Sequence, residues 1–377
     1  MSTLYVTEQH ALVRKDGDTL IVQIPEDKSK DTKPPAEGEN AEAGIESDRG
    51  KKLRVVRVPL IKVDQVVVFG EATVTSPALH ALLQNRVEVC FLSYYGNFLG
   101  RLSPQFSKNS LIRLEQHRAH DDPTRALEFA KRFVGGKLAN FRTLLMRANR
   151  KLEKAEIEQA VAALKSMIEK VERFEGSRAT AVTFQEATAT NPAVEVVNDL
   201  LGLEGAGSAI YFGVFGNLLK QEWGFQGRNK RPPTDPVNAL LSYGYTLLMH
   251  KAQSAIGVVG LDPYIGFLHS SQYGKPALAL DLMEEFRGPI VDSVVITLVN
   301  TGALKRDDFV EEAGTWRMND AARRTFLEKF EERMNTLIEH PTFGYKASYQ
   351  KCLELQTRLL AKKLTGEIPA YPPFLVR

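Results

Sequence analysis

Apolar and polar positions form short, strand-like runs over the first hundred residues of the chain. The runs LYVT, HALVRK, TLIVQI and VEVCFLS read as strands, and Asp16-Gly17 between the second and the third is a strong hairpin signal. One helical piece, SPALHALLQNR, interrupts the pattern. We therefore predict a small β-sandwich domain over residues 1–104.

A hydrophilic segment at residues 25–52 breaks the run of predicted strands. It is rich in Pro, Glu, Lys and Ser and holds almost no large apolar side chain, so it cannot bury enough surface to order itself. We expect a flexible loop between two strands. A docking segment for a partner is the alternative.

From about Ser107 the apolar positions recur with the 3.6-residue period of helices, and they do so almost to the end of the chain. Examples are PTRALEFAKRFVGGKLANFRTLLMRANRKL and KCLELQTRLLAKKL. No repeat of fixed length accompanies them, which argues against a helical solenoid. The predicted fold class is α+β multidomain, with a larger all-helical domain over residues 105–377.

Composition and charge leave the kind of partner open. The chain has 49 basic and 46 acidic side chains, a net charge of +3, which is too near neutral to predict nucleic-acid binding by itself. Cys90 and Cys352 are the two cysteines and lie far apart, which excludes a disulfide framework and a cysteine-based zinc site. With no signal-peptide pattern at the start, we expect a cytoplasmic protein.

One segment, LLGLEGAGSAIYFGVFGNLL at residues 200–219, imitates a membrane span because it holds a single charge, Glu204. Five glycines reduce the apolar surface of this segment, and neither an aromatic belt nor a cluster of basic residues flanks it, as both flank membrane spans. These features favour a buried helix. A carboxylate on such a helix needs a cation, a hydrogen-bond network or a pKa shift to compensate its burial. A buried ion pair and a protonated acid are the structural alternatives to a functional role.

A histidine and three acids stand close together in GFLHSSQYGKPALALDLMEEFR, residues 266–287. If residues 278–286 are helical, Asp281 and Glu284 lie three positions apart on one face, where their like charges repel. A divalent cation bound by both carboxylates would offset this repulsion, because each carboxylate would then be a metal ligand. The alternatives are a packed His269 and a solvated acidic face, of which Glu285 would be an ordinary member.

Glu204, His269, Asp281 and Glu284 together would make a site of mostly oxygen ligands with one imidazole. Such a mixture suits Mg²⁺ or Mn²⁺ better than zinc. These metals are most often used on phosphate esters, as Lewis acids or to activate a nucleophile.

A basic segment, WGFQGRNKRPPTDP at residues 223–236, could hold the phosphates of DNA or RNA. It supplies Arg228, Lys230 and Arg231, with Trp223 and Phe225 beside them. Lys275, in a Gly-Lys-Pro turn, is a further candidate for DNA binding. An interhelical loop with solvated charges is the alternative. The FVGG run at residues 133–136 is not a phosphate loop, since it lacks a following Lys-Ser or Lys-Thr and interrupts a helical pattern.

Three of these stretches together resemble the CRISPR-associated protein one family, the integrase of spacer acquisition. They are LLGLEGAGSAIYF around Glu204, RPPTDPVNALLSYGYTLL at residues 231–248, and GLDPYIGFLHSSQYGKPALALDLMEEFRGPIVD at residues 260–292. They stand in the family's order and at family-like spacing, and the resemblance covers nearly the whole chain.

The resemblance implies a small β domain followed by a larger helical catalytic domain, and homodimers formed through the β domains. It implies Glu204, His269 and Glu284 as catalytic residues and metal ligands, with Asp281 assisting. Many members carry aspartate where Glu284 stands, so the direct ligand stays open between Asp281 and Glu284.

The resemblance also implies two dimers bridged by CRISPR-associated protein two, with captured DNA and the CRISPR repeat as substrates. The 3′-hydroxyl of the captured DNA would attack a phosphodiester of the repeat, a transesterification that needs no ATP; water in its place would hydrolyse DNA. The first hypothesis is therefore a metal-dependent DNA integrase and endonuclease of CRISPR adaptation. The alternatives are a catalytically silent DNA-binding scaffold with a structural cation site, and a helical membrane protein built around residues 200–219.

Overall fold

The computed structural model describes residues 2–25, 53–105, 109–176, 192–229, 232–269 and 272–376, with the backbone alone at residues 192–198. The chain divides into two units, Met1–Phe106 and Ser107–Arg377. The predicted hydrophilic loop at residues 25–52 falls almost wholly outside the described residues, and it stays a prediction.

The first unit contains strands and one helix. These elements are β1 Ser2–Val6, β2 Leu12–Asp16, β3 Thr19–Pro25, β4 Leu53–Pro59, β5 Val63–Phe69, β6 Thr73–Val74, α1 Ser76–Gln84, β7 Glu88–Leu92 and β8 Phe98–Leu102.

Two four-stranded sheets form this first unit, with strand orders β1-β5-β7-β8 and β4-β3-β2-β6. The predicted hairpin is present: β2 and β3 pair antiparallel with Asp16 opposite Thr19, and Gly17 takes the positive φ of 54° that a two-residue turn requires. Valines of both sheets, such as Val13 and Val66, share one apolar core with α1. The strand-rich first unit is confirmed, while the closer assignment as a sandwich stays a prediction.

The second unit is mainly helical. Its elements are α2 Ser110–Asp121, α3 Pro123–Leu152, α4 Ala155–Arg173, α5 Pro192–Phe215, α6 Pro236–Val259, α7 Ala277–Met283, α8 Ser293–Asn300, β9 Phe309–Glu312, β10 Thr315–Met318, α9 Asp320–Asn335, β11 Leu337–Glu339, β12 Lys346–Ser348 and α10 Tyr349–Leu364.

The prediction of an all-helical second domain needs correction, because two antiparallel hairpins lie within it. One joins β9 to β10 and the other joins β11 to β12. The first hairpin turns at Ala313 and Gly314, whose φ angles of 50° and 73° are both in the left-handed region that a tight hairpin turn uses. The strands are only three or four residues long, too short for a two-residue period to stand out from the helical pattern around them.

Helix α3 is the long helix of the second unit, and glycines allow its neighbours to approach closely. Asp122 caps its start by accepting hydrogen bonds from the backbone N–H groups of Thr124 and Arg125. A Cβ added at Gly207 of α5 would lie 2.5 Å from Leu138 of α3, and one added at Gly136 would lie 3.1 Å from the Glu285 side chain. A larger residue at either position would push these neighbours away, and the two glycines thus allow α5 and residues 284–286 to lie close against the middle of α3.

Helix α5 carries most of the apolar segment that imitates a membrane span. Its Tyr211 is fully buried and stacks on Phe141 of α3, with ring centroids 3.8 Å apart and planes within 4° of parallel. Within the described ranges, no helix combines the length and the apolar character that crossing a bilayer requires.

The end of the chain packs into the second unit against Glu285, which corrects the interpretation of Glu285 as part of a solvated face. Glu285 is fully buried, and its Oε2 accepts hydrogen bonds from the Phe374 N–H at 2.8 Å and the Tyr371 hydroxyl at 3.2 Å. Gln356 of α10 also donates to this oxygen, at 3.2 Å. Burial raises the pKa of Glu285 to about 8, although these hydrogen bonds oppose the shift.

This raised pKa predicts a loss of stability as the pH rises. Folded Glu285 keeps its proton between about pH 4.5 and about pH 8, whereas the unfolded chain has already released it, so the free energy of unfolding falls across this window. The expected slope from this residue is about 1.4 kcal/mol per pH unit. Asp292, whose pKa burial raises to about 6, adds to the slope only at lower pH.

The test is urea unfolding of the intact protein at several pH values between 6 and 8.5. Glu285→Gln, which cannot ionise, should flatten the slope between about pH 6 and about pH 8. Glu169→Gln, at an exposed position of α4, is the control and should leave the slope as in the wild type. A Glu285→Gln protein with an unchanged slope would contradict the assignment.

Candidate active site

His269 is held in place by Asp281, which is fully buried in α7. Asp281 Oδ2 accepts hydrogen bonds from the backbone N–H groups of Phe267 and Leu268, at 2.6 and 3.0 Å. Asp281 Oδ1 accepts from the backbone N–H of His269 at 2.9 Å and lies 2.7 Å from its ring Nδ1. Because a carboxylate that receives three N–H groups acts as an acceptor, Nδ1 carries the ring proton and Nε2 presents its lone pair.

The loop that leads to His269 is fixed from the other side by α2. Gln116 donates to the carbonyls of Asp262 and Ile265, at 2.8 and 2.7 Å, and accepts from the Asp262 N–H. His120 Nδ1 lies 2.6 Å from the carbonyl oxygen of Gly266. A Cβ at Gly266 would lie 2.7 Å from Asp281 Oδ2, so a glycine is required where the loop crosses α7.

Glu284 lies on the Nε2 side of the same imidazole. Its Oε1 is 3.9 Å from His269 Nε2 and 3.0 Å from Arg287 Nη2, and its Oε2 is 2.7 Å from Lys137 Nζ. Burial would raise the pKa of this carboxyl, but the positive charges of Arg287 and Lys137 outweigh it and lower the pKa to about 2. Glu284 is therefore an ionised carboxylate although its side chain is only 3% exposed.

Glu204 of α5 meets the same lysine. Lys137 Nζ forms a short ion pair with Glu204 Oε1, which also accepts a hydrogen bond from the Ser208 hydroxyl at 2.8 Å. The ammonium ion thus lies between two carboxylates that come from different elements. This ion pair is the compensation that a carboxylate on an apolar helix requires.

The structure brings Glu204, His269, Asp281 and Glu284 together. Asp281 and Glu284 flank one imidazole, and Glu204 and Glu284 share one ammonium ion. Both oxygens of Asp281 are occupied by N–H groups, whereas Glu284 Oε1 lies 3.9 Å from His269 Nε2 and Glu284 Oε2 contacts the lysine that also pairs with Glu204. This geometry favours Glu284 over Asp281 as a direct metal ligand.

The donor set around this place fits a hard divalent cation. Two carboxylates and a neutral imidazole nitrogen are ligands that Mg²⁺ or Mn²⁺ accepts, and Lys137 stands in for the positive charge. Over the part of the chain that the structure describes, no three His, Cys, Asp or Glu side chains are already spaced as a formed metal site. Instead, the carboxylates of Glu204 and Glu284 both contact the ammonium ion of Lys137.

A buried polar network extends from Glu284 away from the imidazole. Arg287 pairs with Glu284 and lies over the ring of Tyr245, with its guanidinium carbon 4.7 Å from the ring centroid. The hydroxyl groups of Tyr245 and Tyr211 donate to the two oxygens of Asp292, at 2.6 and 2.9 Å. Burial raises the pKa of Asp292 to about 6, against the effect of these two hydroxyl groups.

The predicted DNA-binding residues are only partly described. Arg228 is half-buried and donates to Asn238 Oδ1 and Ser242 Oγ, at 2.8 and 3.1 Å, on α6. Lys230 and Arg231 lie outside the described residues. Lys275 is half-buried in the turn before α7.

The aromatic residues predicted to accompany these cations are packed inside the protein. Trp223 is only 3% exposed and makes an edge contact with Phe309, with ring centroids 5.9 Å apart. Phe225 is half-buried against Phe215 of α5. Trp223 is therefore not exposed beside these cations, because its large apolar ring packs in the core against Phe309 of β9.

Lys137 is the residue of the site that sequence reasoning missed. Its signal was of the same kind as that of Glu204, a single charge in an apolar helical stretch, FVGGKLANF. Of the two glycines before it, Gly136 allows Pro373 and Glu285 to pack closely against α3, a role that the local sequence pattern does not indicate. The partner carboxylates lie 67 and 147 positions further along the chain, beyond the reach of local patterns.

Comparison with known proteins shows to which family the chain belongs. The family model of CRISPR associated protein Cas1 matches residues 4–332. The chain is 39% identical over 380 residues to a CRISPR-associated exonuclease Cas4/endonuclease Cas1 fusion of Geobacter sulfurreducens, covering 99% of this chain and 60% of that protein's length. It is 36% identical to the CRISPR-associated endonuclease Cas1 3 of Thermus thermophilus, covering 100% of this chain and 98% of that one.

Solved structures share the fold. A casposase bound to its integration product matches with a TM-score of 0.75 at 24% identity, over 99% of this chain and 93% of that one. A chain of a Cas6-RT-Cas1–Cas2 complex matches with a TM-score of 0.70 at 25% identity, over 100% of this chain and 36% of that one. The chain described here therefore belongs to the Cas1 family of CRISPR-associated proteins.

Proposed function

We propose that this chain is a metal-dependent DNA endonuclease and integrase of CRISPR adaptation. The observation that carries the proposal is a set of contacts between remote stretches of the chain: Lys137 joins Glu204 to Glu284, and Glu284 lies beside His269, at a partly exposed place. The Geobacter and Thermus relatives are both named as containing an endonuclease Cas1, which supports a nuclease role. The fold shared with a casposase is consistent with it.

Glu204, Glu284 and Nε2 of His269 would hold Mg²⁺ or Mn²⁺ in this proposal. The bound metal would supply Lewis acidity at a phosphodiester. Asp281 acts through His269, since it fixes the tautomer and the ring orientation that present Nε2 to the site. Arg287 keeps Glu284 ionised and pointed toward the imidazole.

The reaction is a phosphodiester exchange. The 3′-hydroxyl of captured DNA attacks a phosphorus of the repeat, the new P–O bond forms as the old one breaks, and the released 3′-oxygen takes up a proton. The number of phosphodiester bonds is unchanged, so no ATP is required. If water attacks instead, one phosphodiester is lost and the DNA is cleaved.

The partners follow from the proposed reaction. Captured DNA and the CRISPR repeat are the substrates, and we keep Arg228, Lys230, Arg231 and Lys275 as proposed contacts to their phosphates. A homodimer formed through the first unit, with Cas2 bridging two dimers, is the proposed assembly. The similar Cas6-RT-Cas1 chain is described in a complex with Cas2, which supports this partner. A reducing cytoplasm is the proposed location, in keeping with two buried free cysteines.

Substitution of the site residues should separate catalysis from folding. Purified Glu204→Gln, His269→Ala and Glu284→Gln proteins, assayed on branched DNA with Mn²⁺, should lose about a hundredfold or more in nicking and joining, because each removes a proposed ligand. Glu285→Gln is the matched control for Glu284→Gln. It is the next residue, equally buried, but its carboxyl faces the end of the chain, so activity at pH 7.5 should be retained.

Two outcomes would contradict the proposal. Unchanged activity in all three folded variants would refute the site. DNA affinity without turnover in the wild type, with any divalent cation and with Cas2 present, would favour the alternative of a catalytically silent DNA-binding scaffold.

Asp281 should have a measurable effect on the stability of the loop that leads to His269. Asp281→Asn leaves one oxygen to serve three buried N–H groups and turns an NH₂ group toward them, so the free energy of unfolding should fall by about 2–5 kcal/mol. Hydrogen exchange at the amides of residues 267–269 should accelerate at the same time. Asp262→Asn is the control in the same loop, because Asp262 Oδ1 accepts from the single N–H of Tyr264. Equal effects of the two variants would contradict the positioning role.

A further inference from the structure

Lys137 is a buried cation whose position coincides with that of the proposed metal. Its side chain is 3% exposed, and its ammonium ion contacts Glu204 Oε1 and Glu284 Oε2. A lysine ammonium is a compact, strongly hydrated charge that is costly to bury without anionic partners. Here the two partners are the carboxylates proposed as metal ligands.

The packing around α3 fixes Lys137 at this point. Gly207 of α5 allows Leu138 to approach, and Gly136 allows the chain at Glu285 to approach, on either side of the lysine in sequence. The stem of Lys137 crosses the ring of Phe141, with Nζ 5.5 Å from the ring centroid. The ammonium ion is therefore aimed between the two carboxylates by the same close contacts that assemble the site.

A metal ion held by Glu204 and Glu284 would share both carboxylates with this ammonium ion. The two positive charges would then lie close together and repel, which weakens the binding of each. Glu284 keeps a second cation, Arg287, when the lysine leaves, whereas Lys137 is the cation paired with Glu204.

We propose that Lys137 is a positioning residue. Its ammonium ion holds the carboxylates of Glu204 and Glu284 together and competes with the divalent metal for both carboxylates. This inference rests on the proposed function, since it takes the metal site as given. Lys137 thus holds the metal-free site together and sets how much divalent cation is needed to open it. Its four-carbon stem lets the ammonium ion swing aside when the metal binds.

Metal binding measured without DNA tests the proposal independently of activity. The free Mn²⁺ signal in electron paramagnetic resonance gives the dissociation constant for the wild type and for Lys137→Met and Lys137→Gln. Both variants should bind Mn²⁺ about tenfold or more tightly, because a competing positive charge has been removed. Thermal unfolding should show a lower melting temperature without metal and a larger rise with Mn²⁺ than in the wild type.

Lys131→Met is the matched control. Lys131 lies on the same helix, and its ammonium ion donates to the carbonyl oxygen of Phe174 at 2.6 Å, away from the site. Its Mn²⁺ affinity should equal that of the wild type. Lys137→Gln is included because its amide can still donate to the carboxylates if Lys137→Met does not fold without metal.

The outcomes distinguish this inference from the proposed function. Mn²⁺ bound by the wild type with equal or weaker affinity in the Lys137 variants would overturn the competition and leave the metal site standing. If neither the wild type nor the variants bind Mn²⁺, both the inference and the metal-dependent function fail. A Lys137→Met protein that folds only when Mn²⁺ is present would support the inference.

Discussion

The need to compensate buried carboxylates organises the second unit. Between residues 281 and 292 the chain buries four acids, and an unpaired charge in such surroundings would cost several kcal/mol. Asp281 is compensated by backbone N–H groups and an imidazole, Glu284 by two cations, Glu285 by a proton below about pH 8, and Asp292 by two tyrosine hydroxyls. Since these partners come from distant elements, satisfying the acids requires those elements to be in place.

The helical conformation changes along residues 284–292, next to Pro289. After α7 the chain continues as a short 3-10 helix, Glu284–Phe286, and then as a π-helical segment, Arg287–Asp292, before α8 begins. Pro289 has no N–H to give to the helical ladder, and the Pro289 carbonyl accepts from Arg333 at 2.8 Å and from the Ser293 hydroxyl at 2.8 Å. Such local widening of a helix is common at functional sites. Glu284 and Glu285 precede it in the 3-10 segment, where successive side chains point in different directions, so Glu284 faces Lys137 and Glu285 faces Phe374.

Residues that violate a local pattern could be found from sequence, whereas their partners could not. Glu204 is the single charge on an apolar helix and His269 ends an apolar run, so the sequence alone indicates both as candidates for the site. Glu285 was misread because its burial depends on Tyr371 and Phe374, 86 and 89 positions away, and no periodicity encodes that contact. The hairpin of β9 and β10 was missed although Ala313-Gly314 provides a turn signal, since four-residue strands carry too little pattern.

Exposure within the site decides how a phosphate would approach in the proposed reaction. The side chains of Glu204 and His269 are each 19% exposed, whereas those of Lys137 and Glu284 are 3% exposed. A phosphodiester arriving from solvent would therefore meet the glutamate of α5 and the imidazole first, with Glu284 behind them. Because the deep carboxylate is held by Arg287 whether or not Lys137 moves, the adjustable part of the site is the outer one. In the proposed site Lys137 pairs with both carboxylates and Arg287 with the inner one, so Glu284 keeps a cation when the ammonium ion of Lys137 moves, and it can define the position of a substrate.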